Sequence, residues 1–257
     1  MRRRHHAGVI ALAVAASLVH AEAPPRVVLV EPSGSRVPAS LLRLSIRFAK
    51  PVEGAVLPRL SLRHADGAAI AEPFLEQELW SPDDRTLTVL LHPGRVKTGL
   101  QARDTLGPLL VEGDDVVLAL DGRPLQQWHV DPVDESGPRT SAWRLSPVHA
   151  GSREVLVVAL DAPVDGQAAN YLAIADSRGR RIPGRAQLTN GESTWTFTPD
   201  RPWQAREYRL LVRGTLEDSS GNRVGSHFET SVSSPAGQAA DSVIPFDASP
   251  PSRPISR

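Results

Sequence analysis

The chain of 257 residues contains no cysteine. That excludes disulfide staples, a thiolate metal site, a cysteine nucleophile and lipid attachment through an N-terminal cysteine, so each domain must hold together by packing alone. Aromatic residues make up only 5% of the chain, few for the exposed aromatic platform that a glycan-binding face needs. Neither sign of charge is in excess, with 29 Lys and Arg against 29 Asp and Glu. No general attraction to nucleic acid or to an anionic membrane surface is therefore implied. One apolar run is long, residues 8–19, and it is too short to span a bilayer. Nucleophile elbow, phosphate loop and His-Glu metal helix are all missing. Asp83-Asp84 and Asp114-Asp115 are paired carboxylates at turn-like positions, which solvation explains. The expectation is a protein that is not an enzyme.

What is present begins with the N-terminus. Arg2, Arg3, Arg4, His5 and His6 form a positive head before the apolar run, and small residues at Ala21 and Ala23 follow it. Head, apolar run and small residues in that order read as a signal peptide over 1–21, cut after Ala21 or Ala23. Cleavage after Ala21 removes three arginines and no acid, taking the net charge from 0 to −3. A second long apolar stretch is lacking, so no membrane insertion of the mature chain is expected, and its place is periplasmic or secreted.

Proline (23) and glycine (19) are plentiful, which suits short strands joined by turns. The chain also repeats itself. Phe48-Ala49-Lys50-Pro51-Val52-Glu53-Gly54 lines up with Leu160-Asp161-Ala162-Pro163-Val164-Asp165-Gly166, and Ile70 meets Ile182 at the same spacing of 112. Thr86-Leu87-Thr88-Val89 matches Thr194-Trp195-Thr196-Phe197. A period of two sets Leu42, Leu44, Ile46 and Phe48 on one face, as it does Leu87, Val89 and Leu91, Trp195 and Phe197, and Tyr208, Leu210 and Val212. The unbroken apolar run 155–160 predicts a strand covered on both sides. Asp66-Gly67, Asp121-Gly122, Asn190-Gly191 and Gly221-Asn222 are dipeptides suited to positive φ. Helical periodicity with caps is absent after the signal segment. Two all-β sandwiches follow: domain 1 over 24–130, a Pro- and Gly-bearing linker over 131–140, domain 2 over 141–233, and a disordered Pro- and Ser-rich tail over 234–257.

In the second half Ser146-Pro147, Leu160-Asp161-Ala162-Pro163-Val164-Asp165, Trp195-Thr196-Phe197-Thr198-Pro199, Tyr208 and Asp218-Ser219-Ser220-Gly221-Asn222 follow in order. This order resembles bacterial Ig-like domains of the surface-layer-protein type. Domain 1 resembles them through Glu31-Pro32 and 48–53 but has no Asp-x-x-Gly-Asn loop. The resemblance implies two tandem immunoglobulin-like β-sandwiches acting as spacers or adhesive modules. A distant likeness in outline to periplasmic copper-carrier sandwiches implies a metal role as the alternative.

Candidate sites are few. Domain 1 carries about 15 more residues than domain 2 between the strands ending at Leu91 and Thr198 and those starting at Val116 and Tyr208. Extra loop length of this kind is often functional. Arg95, Lys97 and Arg103 at its basic start are the expected partner contacts, the partner being an envelope protein or surface polymer. A plain covering loop is the competing reading. The loop 217–222 has oxygens enough for calcium, although Asx residues and glycine are also what a plain turn needs. Copper would require ligand spacing, and His64, His92, His129, His149 and His227 are scattered singly. Signal cleavage would moreover leave no histidine at the N-terminus. Trp80, Trp128, Trp143 and Trp203 flank strands, where aromatics cover core edges. The expected protein is thus an exported adaptor, spacer or binding module without a cofactor.

Overall fold

A computed structural model describes residues 25–96, 101–224 and 240–250. The predicted signal segment 1–21, Lys97 and His227 lie outside the described residues.

The first unit has eight strands, β1 (Val27–Glu31), β2 (Arg36–Pro38), β3 (Arg43–Phe48), β4 (Leu60–His64), β5 (Phe74–Trp80), β6 (Thr86–Leu91), β7 (Asp115–Leu120) and β8 (Arg123–Asp131). They form two four-stranded sheets, β1-β3-β6-β5 and β2-β8-β7-β4, with β2 parallel to β8 and all other pairs antiparallel. The second unit has β9 (Arg144–Leu145), β10 (Val148–His149), β11 (Leu156–Ala159), β12 (Leu172–Asp176), β13 (Gly184–Thr189), β14 (Thr194–Pro199), β15 (Glu207–Val212) and β16 (Ser242–Ser249). Its sheets, β9-β11-β14-β13 and β10-β16-β15-β12, repeat the first unit strand for strand. Each is an immunoglobulin-like sandwich. In both, the first strand leaves one sheet and joins the other at a proline, Pro32 or Pro147. A residue without an N–H cannot continue a ladder, so the crossing is set locally.

The alternating patterns work as expected. Leu44, Ile46, Phe48, Leu87, Val89 and Leu91 are each at most 2% exposed and meet Trp128 between the sheets. Domain 2 packs Trp195, Phe197, Trp203, Tyr208 and Phe246 into one aromatic cluster, with centroids 5.0–6.1 Å apart. A scarce residue class is therefore concentrated where its large area is most valuable. The duplication extends to hydrogen bonds: Ile70 N–H donates to Leu62 O as Ile182 N–H does to Ile174 O. At the Asp121-Gly122 turn both φ are positive (51° and 75°), and the two-residue hairpin between β7 and β8 closes.

Three expectations are corrected. The tail 234–257 is not uniformly disordered, because Ser242–Ser249 forms β16 and pairs with β15 over six residues. Ala248, Ile244 and Phe246 reach the core from it, so the sandwich of domain 2 ends beyond residue 233. Pro245 sits there because it faces outward on a strand whose alternation survives. Second, β11 is covered on one side only: Leu156 and Val158 are buried, whereas Val155 and Val157 are 43% and 37% exposed. Third, the insertion of domain 1 holds two short helices, α1 (Pro93–Val96) and α2 (Gln101–Leu106). Both are too short to show a period; Pro93 at the first helical position and Gly107 (φ 78°) after the last are their local marks.

Candidate functional site

The joint between the sandwiches gathers buried charge from both halves of the chain. Domain 2 presents three loops to it, 161–166 before the Gly166–Tyr171 3-10 turn, 190–192 between β13 and β14, and 217–222 after β15. Domain 1 presents the turn after β1 and the start of β3.

Arg43, first residue of β3, is the central cation. Its Nε donates to Asp165 Oδ2, one terminal nitrogen donates to Glu217 Oε2 at 2.9 Å, and the other donates to Asp218 O at 3.3 Å. Against the cost of burial, the two carboxylates raise the guanidinium above its usual value. Glu192 accepts from Ser33 N (2.9 Å) and Ser33 Oγ (2.6 Å), and Glu31 accepts from Gln167 Nε2 (2.6 Å). Burial pushes both carboxyls up, and for Glu31 the nearby Glu192 adds to the effect. Asn190, Gly191 and Glu192 all have positive φ, a left-handed run unusual for Glu192. The Ser33 bonds compensate the strained backbone that aims this side chain across the joint.

Backbone and linker join in. Leu42 N–H donates to Ser219 O at 3.0 Å, directly across the boundary. Asp134 N–H donates to Ser40 Oγ at 2.9 Å, Asn222 Nδ2 donates to Asp134 O at 3.0 Å, and Ser40 and Ser220 hydroxyls lie 2.8 Å apart. The expected linker is thereby fastened to both domains. The approach is close: a Cβ on Gly191 would come within 2.9 Å of Gly34 Cα, and one on Gly166 within 2.6 Å of Glu31 Cβ. Glycine is required at both positions.

The predicted site residues fall elsewhere. Arg95 is 4% exposed, and its guanidinium donates to the carbonyls of Ala71, Leu106, Gly107 and Pro108. Arg103 donates to Arg95 O and Val96 O. Each helix of the insertion thus carries the arginine that caps the other helix's C-terminal carbonyls. Arg95 and Arg103 are cross-caps, so the expected contact role is replaced by an internal one, and Lys97 lies outside the described residues.

Of the two readings of 217–222, the bonding is that of a plain turn. Asp218 Oδ1 accepts from Ser220 N and Asn222 N at 2.8 and 2.9 Å, and Oδ2 accepts from Asn222 Nδ2 at 2.9 Å. Donors aimed at a carboxylate from three sides occupy the lone pairs a cation needs. Burial pushes this carboxyl up to about 6. Three of the histidines are paired with carboxylates, His64 at 3.5 Å from Asp114, His129 at 3.0 Å from Asp115 and His149 at 2.9 Å from Glu154, whereas His92 Nδ1 is buried with no hydrogen-bond partner among the described residues. Among the described residues no group of three or more His, Cys, Asp or Glu is arranged to hold a metal ion. Of the tryptophans, Trp128, Trp143, Trp195 and Trp203 are buried and Trp80 is half-buried, its indole N–H on Glu78 at 2.8 Å.

Sequence reasoning missed Arg43, Glu31 and Glu192. The one local signal was Asn190-Gly191, a turn that carries a charged residue straight after it.

No protein-family model and no curated protein matches the chain. Among solved structures it is similar to the BSP domain of a biofilm associated protein (TM-score 0.27, 11% identity, 90% of this chain and 30% of that one). It is similar also to domains 5-6 of the S-layer protein SbsC (0.26, 8%, 88% and 99%). An L,D-transpeptidase from Mycobacterium smegmatis gives 0.28 and 13% identity over 65% of this chain and 62% of that one. The chain thus spans under a third of the first and about three fifths of the transpeptidase. At such scores these likenesses say nothing of ligand or activity, and the fold rests on strand order.

Proposed function

We propose that the chain is an exported, non-enzymatic adaptor or spacer whose two Ig-like domains act as one stiff unit. The observation that carries this reading is the joint. Three loops of domain 2 are engaged by domain 1, and the charges between them are matched by hydrogen bonds rather than left to water. A tandem pair needed only as two independent modules has no use for a half-buried arginine bridging two carboxylates, since domains joined by a free linker reorient by default. Export is supported by the basic head and apolar run of the first 21 residues. No helix among the described residues is long and apolar enough to cross a membrane.

The test combines shape with contact. Small-angle scattering on the mature protein should give a single maximum dimension that Arg43→Ala broadens while circular dichroism stays β. Crosslinking in the envelope fraction should then capture a stoichiometric partner with wild type and lose it with Arg43→Ala. A scattering profile already broad in wild type would sink the stiff-unit reading, and turnover found in a hydrolase panel would sink the non-enzymatic one.

A further inference from the structure

At the end of domain 2 farthest from the joint, the turn after β12 faces the turn between β14 and β15 across an open groove of about 560 Å³. Its walls carry four arginines, Arg180 and Arg181 from one turn and Arg201 and Arg206 from the other. Two carboxylates face them, Asp176 and Asp200, leaving an excess of two positive charges. Trp203 and Tyr208 also line the groove.

Asp176 acts as an anchor beneath this cluster. Its side chain is 2% exposed, accepts from the backbone N–H groups of Arg178 and Arg180, and holds Arg180 Nε and a terminal nitrogen of Arg180 at 3.1 Å. A terminal nitrogen of Arg206 lies 3.6 Å from it, and the Arg206 guanidinium sits 5.1 Å from the centre of the Tyr208 ring. Arg206 Nε is buried with no acceptor. Arg181 and Arg201 are exposed and form no ion pair among the described residues. One guanidinium of each turn is therefore held by a buried carboxylate, and its neighbour on the same wall forms no ion pair among the described residues.

Domain 1 supplies an internal control. The same turn there closes with the same bonds: His64 N–H donates to Ala68 O as Asp176 N–H does to Arg180 O, and Arg63 bridges Ala69 as Ala175 bridges Arg181. Yet the positions of Asp176, Arg180 and Arg181, each 112 residues on, are His64, Ala68 and Ala69 in the first copy. The turn folds without arginine, so its arginines in domain 2 answer to something other than the turn. Like charges held together in a concave site repel one another, and an anion relieves that repulsion while accepting from planar forks that match its oxygens.

We propose that this groove is a binding site for an oxyanion carried on a larger polar molecule, a phosphorylated or carboxylated sugar. The arginines would take the oxyanion and the remaining volume the sugar ring. The site shares no residue with the joint, and it stands or falls separately from the stiff-unit reading.

Titration of the mature protein by NMR or calorimetry with glucose 6-phosphate, glucuronate, glucose and inorganic phosphate tests it. The expected result is saturable binding of the two anionic sugars, weakened by added salt, with glucose inert and phosphate weaker than glucose 6-phosphate. Arg181→Ala with Arg201→Ala changes exposed residues only and should weaken binding about tenfold or more with the fold intact. Arg206→Lys keeps the charge but loses the fork, and should also weaken it. Absence of saturable binding, equal binding of inorganic phosphate, or binding unchanged in the double variant would each overturn the proposal.

Discussion

The two sandwiches share a strand order and differ in where they lengthen it. Domain 1 inserts residues 92–114 between β6 and β7, and closes β7 to β8 with two residues. Domain 2 joins β14 to β15 with seven residues and takes 29, from 213 to 241, between β15 and β16. Each insertion buries a charged residue, and the two charges are handled in opposite ways. Arg95 meets only carbonyl oxygens of its own insertion and of Ala71, so the first insertion is a self-contained cap on domain 1. Asp218 closes a turn whose neighbours Glu217, Ser219, Ser220 and Asn222 reach Arg43, Leu42, Ser40 and the linker. Insertions at opposite ends of the repeated sandwich are covering material or joints according to what lies beyond them.

The difference can be broken at several points. Ending the chain at residue 239 removes β16, with Phe246, Ile244 and Ala248, and should cost domain 2 on the order of 5 kcal/mol. Calorimetry should lose the transition of domain 2 and keep that of domain 1; survival of both would show that the late strand is dispensable. Acidity sharpens the contrast next. Glu31, Glu192 and Asp218 titrate higher in the joint than in the unfolded chain. Their destabilisation is complete above the raised values and is relieved as the pH falls through them, which for Asp218 means about 6. Domain 2 and the joint should therefore melt higher near about pH 5 than near about pH 7.5, by about 1.5 kcal/mol for Asp218. Asp218→Asn should flatten that dependence, and an equal slope in the variant would remove Asp218 as its source.

Arg43→Ala leaves Asp165 and Glu217 facing each other, at a cost of about 2 kcal/mol once partial exposure is allowed for. Its effect should fall on coupling: the melting transitions of the two domains should move apart. Arg95→Ala should destabilise domain 1 alone by about 1–2 kcal/mol, leaving scattering and the melting of domain 2 as they were. A change in domain 2 would show that the first insertion is not self-contained.

Much of the fold was legible because strand faces are set by neighbours two residues apart. Trp195 and Phe197 point inward as their alternation with threonine requires, and the Asp121-Gly122 hairpin follows from two residues that tolerate positive φ. β16 was hidden by composition, since Pro245 and the surrounding serines suggest disorder when no partner strand is in view. The duplication itself held the clue: a copy of domain 1 without a partner for β15 is one strand short. The short insertion helices were illegible because four to six residues cannot display a helical period.

By itself the sequence determined the alternation, the turns, the copy number and the excess length of one loop, all of which depend on residues close together in the chain. The tertiary structure alone decided that Arg95 and Arg103 cap helices, that Asp218 accepts N–H donors within its own turn, and that Arg43 and Glu192 meet the other domain. The reason is range. Burial and pairing of a charge depend on groups as far apart as Ser33 and Glu192, 159 residues away in the chain, and no local pattern encodes which of 58 charged side chains will be taken out of water.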